Sequence, residues 1–245
     1  MHKLTLVSLA LCLIGALAAG QEGLDLLLAL DRARFLDVPV SQLTAIVRSE
    51  SGDTVEEAEL VLSFKEIEGE NYVRIEFLRP ADLAGQVFLV TPQGTYFWQP
   101  ELFAPIRTSG AQAAFGDAAI GQLSGIRFAP DYRIGSRREL RGADGAALLE
   151  LELRALSPAV PFQTVVVTAE ASSLRPRELR LLAPTGVPLY RVLLTKYAEL
   201  EGDLYVRDQV VENALVEGNR TLLSIVAVSL APVPDEAFDP SRLGR

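Results

Sequence analysis

Three features of the sequence predict a mainly β (α+β) chain whose strongly curved antiparallel sheet forms an incomplete β-barrel. Apolar residues alternate with polar ones over most of the chain from Gln42 to Ala231, Gly- and Pro-containing turn signals recur between the alternating runs, and one early apolar segment has helical spacing instead.

In chain order, Met1-His2-Lys3 gives a short positive start, Leu4 to Leu17 an apolar core, and Ala16, Ala18, Ala19 and Gly20 the small residues that precede cleavage. This is the pattern of a secretory leader. Its apolar run is shorter than the roughly 18 residues of a spanning helix. The expected division is a cleaved signal over residues 1–20 and a single β domain over 21–245, released as a soluble periplasmic protein. Leu11 precedes Cys12 and the apolar core runs on past it, so Cys12 reads as part of the discarded leader.

The segment from Leu24 to Leu36 spaces its leucines as a helix of about three turns. Leu24, Leu27, Leu28 and Phe35 fall on one side and Leu26, Leu30 and Ala33 on the other, which predicts burial between layers. Period two follows: Leu60, Leu62 and Phe64 alternate with Glu59, Val61, Ser63 and Lys65, and Val73, Ile75 and Phe77 with Tyr72, Arg74 and Glu76. Turn signals stand at Gly52-Asp53, Gly69-Glu70-Asn71, Pro92-Gln93-Gly94, Gly142 to Gly145, Pro184-Thr185-Gly186, Glu201-Gly202-Asp203 and Gly218-Asn219. About ten to twelve strands result, too many for a flat twisted sheet, so the sheet is expected to curl. Gly110 to Leu123, rich in Ala and Gly, breaks the alternation and reads as a short helix or loop. It and the N-terminal helix are the candidates to lid the concave face.

Composition removes several chemistries. The only His and the only Cys are His2 and Cys12, both in the leader. Without them no imidazole base, thiol nucleophile, disulfide or soft metal site is available. No enzyme activity, cofactor or metal is expected. The formal net charge is −9, and loss of Lys3 makes it one unit more negative, which argues against nucleic acid and against electrostatic adsorption to anionic lipid.

One helix and one short segment are little material to fill a curled sheet of this size, and an unfilled apolar concavity is how such barrels hold hydrophobic ligands. The candidate cavity or rim residues are Leu60, Leu62, Phe64, Val73, Ile75, Phe77, Val87, Leu89, Tyr96 and Trp98. Trp98, the only tryptophan, ends an aromatic run before Pro100 and reads as a rim residue. The candidate lid residues are Leu24, Leu27, Leu28, Phe35 and Phe115.

Three stretches resemble one family. Arg74 to Thr91, running into Tyr96-Phe97-Trp98-Gln99-Pro100, the segment Phe115-Gly116-Asp117 with Gln122-Leu123, and the ending Pro234-Asp235-Glu236-Ala237-Phe238 with Leu243 are similar to patterns of the outer-membrane lipoprotein-sorting family, related to the periplasmic lipoprotein carrier (LolA-like). The Ser expected before Asp117 is absent, and Trp and Tyr are exchanged around Phe97. The resemblance implies an incomplete barrel with helices lidding an apolar cavity for acyl chains. It implies a monomeric carrier of lipoproteins or lipids toward the outer membrane, working between membrane-associated donor and acceptor proteins. The alternative it leaves open is a sensor of lipid or lipoprotein that regulates an envelope partner.

Overall fold

In a computed structural model, residues 21–36, 42–110, 112–116, 118–119, 125–129 and 131–244 are described. The leader with Cys12, and Asp117 and Gln122-Leu123 of the family-like segment, lie outside them.

Helix α1 (residues 21–32) leads into fifteen strands: β1 (Gln42–Ser51), β2 (Thr54–Ile67), β3 (Glu70–Arg79), β4 (Val87–Thr91), β5 (Gly94–Trp98), β6 (Ile106–Thr108), β7 (Ala113–Phe115), β8 (Ala118–Ala119), β9 (Tyr132–Arg141), β10 (Ala147–Ala155), β11 (Thr164–Glu170), β12 (Pro176–Leu182), β13 (Pro188–Leu200), β14 (Asp203–Asn213) and β15 (Arg220–Ser229). Thirteen of them form one antiparallel sheet in the order β6-β5-β4-β3-β2-β1-β15-β14-β13-β12-β11-β10-β9. Two meanders, β1–β6 and β9–β15, are therefore joined where the first strand pairs with the last, Gln42 opposite Ser229 and Glu50 opposite Arg220. The outer strands β6 and β9 do not pair, so the barrel is open, as the sequence predicts.

The alternation seen in sequence is what the sheet buries. Ala58, Leu60 and Leu62 of β2 and Val73, Ile75 and Phe77 of β3 point to one face, and the register sets Leu60 opposite Phe77 and Leu62 opposite Ile75. Such opposed apolar pairs are the stabilising unit of a sheet. Phe88 of β4 continues the row opposite Ile75 and packs on Phe97 with ring centroids 4.8 Å apart.

Each meander has its own plug. The break that reads as a short helix or loop contains the β7–β8 hairpin, whose Phe115 is buried against Phe77 of the first meander. Gly116 makes its turn at φ +54°, and a side chain there would collide with Ser49 and Thr221. Helix α1 plugs the second meander: Leu27 and Leu30 sit in a core with Leu151, Val165, Leu181 and Val192. Its buried positions 27, 30 and 31, with 34 in the turn that follows, make one stripe at helical spacing. The expected burial between two layers is thus corrected. Leu27 is 2% exposed, but Leu24 and Leu28 keep 42% and 37% of their surface, because the helix packs on one side only.

After β15 the tail crosses to the other face of the first meander. Phe238 and Leu243 cover Val87 and Leu89 there, so β4 is apolar on both sides. No helix among the described residues is long and apolar enough to cross a membrane.

Candidate functional site

Between the two plugs the concave face stays open across the seam between the meanders. The cavity there measures about 1020 Å³, the upper end of the range for small-molecule sites. Leu62, Phe64 and Val73 line it from the first meander, and Leu179, Val192 and Leu194, with Leu223 and Ile225 of β15 at the seam, from the second. Lys65, Glu66, Glu70, Asn71, Arg127 and Asp131 add charged and polar groups to the lining. Such a mixed surface suits an amphipathic ligand with a long apolar part.

One wall is the chain from the end of α1, held by the buried ion pair of Asp31 and Arg34. Arg34 Nη2 donates to Asp31 Oδ1 at 2.8 Å and to the carbonyl of Ile126. The Asp31 carboxylate accepts from the backbone N–H of Phe128 at 2.8 Å and of Ala129 at 2.9 Å. The Arg34 guanidinium lies 3.8 Å from the centre of the Phe128 ring and 4.3 Å from that of Phe35. Burial pushes its pKa below the ordinary value, against the pull of Asp31. Next to it, burial and then the Asp31 charge raise the Asp131 carboxyl, with Arg127 opposing. Burial also raises the Tyr132 phenol, which donates to the Phe162 carbonyl at 2.9 Å. The polar cluster thus fixes residues 125–129 and α1 as one unit along the cavity.

The candidates named from sequence fall into four places. Leu62, Phe64, Val73 and Phe35 line the cavity. Leu60, Ile75 and Phe77 lie in the core around Phe115, and Leu27 carries the inner side of α1 into the core of the second meander. Leu24 and Leu28 face outward. Val87, Leu89, Tyr96 and Trp98 belong to the opposite face of the sheet, with the tail. Trp98 Nε1 donates to the Leu102 carbonyl at 3.1 Å, and its indole lies against Gly244, where a Cβ would collide with it. Sequence reasoning missed the wall from the second meander and the Asp31–Arg34 pair. The i, i+3 spacing of Asp31 and Arg34 on the leucine stripe of the helix was the available signal.

A family model described as "-like: Uncharacterized protein" matches residues 69–245, well over half of the chain. The chain belongs to that family, and its fold is LolA-like. A LolA superfamily protein from Nitrosomonas europaea superposes with a TM-score of 0.78 at 22% identity, over 89% of this chain and 97% of that one. A domain assigned to outer membrane lipoprotein sorting from Vibrio parahaemolyticus gives 0.78 at 17% identity, over 92% and 100% of the two chains. A DUF1329 family protein from Desulfovibrio piger gives 0.75 at 17%, over 91% and 98%. No curated protein matches the chain.

Proposed function

We propose that the protein is a non-enzymatic carrier, exported to the periplasm after loss of residues 1–20, that takes acyl chains of a lipoprotein or lipid into the seam cavity for transfer toward the outer membrane. The observation that carries this reading is the cavity of about 1020 Å³, to which both meanders contribute apolar side chains. Affinity sets a limit on how it works. At about 0.8 kcal/mol per buried CH₂, one chain of about fifteen methylenes gains roughly 12 kcal/mol, and three would pass the practical ceiling of about 20. A carrier that must release its cargo therefore buries only part of it. The α1 unit held by Asp31 and Arg34 is the wall whose displacement would let the cargo in and out.

Titration calorimetry with a diacylated lipopeptide below its aggregation concentration tests the proposal, with native mass spectrometry for stoichiometry. A one-to-one complex is expected, with an affinity nearly independent of salt because its drive is apolar. Phe64→Glu should weaken it by more than tenfold, since a carboxylate would meet the acyl chain, while Tyr96→Ala on the other face should leave it unchanged. Equal affinity of wild type and Phe64→Glu, or no binding at all, would remove the cavity from the function.

A further inference from the structure

The pairing registers sort the hairpin connections onto two ends of the sheet. One end carries β1–β2, β3–β4, β5–β6, β10–β11, β12–β13 and β14–β15; the other carries β2–β3, β4–β5, β9–β10, β11–β12 and β13–β14. Exposed large apolar residues are ordinary when scattered, but here they are sorted. Every connection of the first end has at least one, within it or on one of the two strand residues beside it: Val55, Leu78, Phe103 with Ile106, then Leu156, Val187, and Leu215 with Val216. The five connections of the second end have none. The remaining exposed cases are Leu24 and Leu28 on α1, and Val226 and Leu230 where β15 runs into the tail.

The most prominent tip is Phe103, fully exposed in the 99–105 connection between Pro100 and Pro105. Charge in the connections of this end is sparse and acidic, and of the strand arginines beside them Arg79, Arg154 and Arg220 are ion-paired with Glu59, Glu152 and Glu50, while Arg107 reaches back to the Gln93 carbonyl at the other end. The connections contain Asp53, Asp82, Glu101 and Glu217 but no Lys or Arg, and those over 156–163 and 183–187 contain no charge at all. A surface made of single apolar tips on separate turns, with no cation in the turns themselves, lacks the continuous core of a protein interface. It can instead seat each tip separately in a soft apolar medium.

We propose that this end of the barrel docks on a lipid bilayer of zwitterionic surface, with Phe103 and the Leu215-Val216 pair as its main anchors. The drive is apolar insertion at the headgroup boundary, and the acidic tips add repulsion on anionic membranes. The inference goes beyond the carrier reading and does not rest on it, because none of the tips lines the seam cavity.

Flotation of the purified chain with phosphatidylcholine vesicles tests it. The protein should float with them, to the same extent in low and high salt. Phosphatidylglycerol in the vesicles should reduce binding in low salt, and added salt should restore it. Phe103→Ser should lower partitioning by roughly tenfold or more, the scale of one large side chain leaving an apolar environment. Leu215→Ser with Val216→Ser should act in the same direction. Because all three side chains are exposed, the variants should melt as wild type and keep their lipopeptide affinity, which separates docking from cargo binding. Absence of flotation, flotation unchanged in these variants, or stronger binding to anionic vesicles would overturn the proposal. So would a dimer in solution dissociated by Phe103→Ser, which would assign the tips to a second copy of the chain.

Discussion

The two meanders solve the same problem, a concave apolar face too wide for its own side chains, with plugs of different chemistry. The first is filled by a hairpin whose contribution is an aromatic ring, Phe115 among Phe77 and its neighbours. The second is filled by a helix that brings a buried ion pair, and that pair is bonded to the backbone of residues 126–129. An apolar contact weakens gradually as its partners slide apart. A buried charge pair is satisfied or it is not, since a separated member keeps its full desolvation cost. The helix plug therefore has the sharper boundary between a closed and a displaced state, and it is the plug whose end lines the cavity.

The largest expected effect comes from breaking that pair. Asp31→Ala leaves Arg34 buried without its anion and removes the acceptor of two backbone N–H groups, for a loss of about 3 to 5 kcal/mol in urea unfolding. A sharper form of the test is Asp31→Leu combined with Arg34→Met. Apolar replacement of a buried ion pair is often neutral, but here the N–H groups of Phe128 and Ala129 would stay unsatisfied. The double variant should recover part of the loss and no more. Full recovery would show that the ion pair, and not the carboxylate-to-backbone bonds, held the unit.

The aromatic plug should cost less. Phe115→Ala removes a ring from a core edge that can partly collapse, for about 3 kcal/mol, the low end for such a truncation. Because the ring makes no hydrogen bond, Phe115→Leu should restore most of the loss, with under about 1.5 kcal/mol remaining. A loss as large as that of Asp31→Ala, unrelieved by Leu, would erase the contrast between the plugs.

What the sequence revealed follows the same division. The seven turn signals all fall at hairpin connections, because Gly and Pro there meet a backbone requirement that acts locally. The connections over 80–86, 99–105, 156–163 and 171–175 were not legible, being longer or held by distant contacts. Alternation placed Leu60, Leu62, Val73 and Ile75 on the inner face because their strands are polar on the other side. It failed at β4, where Phe88 and Val90 face inward and Val87 and Leu89 outward. Both faces of that strand are buried, and only the tail residues Phe238 and Leu243 explain the second one. Trp98 and Tyr96 were led to the rim by the same ambiguity. The helix was recognised from its leucines, but its buried side became clear only when Asp31 and Arg34 were counted with them. A charged pair reads as solvent-facing until its partners are known. Leu27→Glu should accordingly destabilise the protein, and Leu28→Glu should not.

The smallest effects compare a carboxyl inside the second meander with one on its outer surface. Asp131 has its pKa raised, first by burial and then by Asp31, so its folded value lies above its unfolded one. Its contribution to stability is present below the unfolded pKa and is lost as pH rises through the folded pKa. Asp208 on β14 is the reverse case. Arg207, bonded at 2.8 Å, lowers its pKa most, with Ser224 and Lys196 adding to the shift. Its contribution is present above the unfolded pKa and is lost as pH falls through the folded one. Asp131→Asn should therefore raise stability near neutral pH and leave it unchanged in acid. Asp208→Asn should lower stability near neutral pH by about 0.2 to 1 kcal/mol, the scale of exposed pairs, and less in high salt. Urea midpoints from pH 3 to 7 separate the two, because the variants should diverge in opposite directions as pH rises. If both curves moved the same way, Asp131 would be as well solvated as Asp208, and the polar wall of the cavity would lie open to water in the closed state.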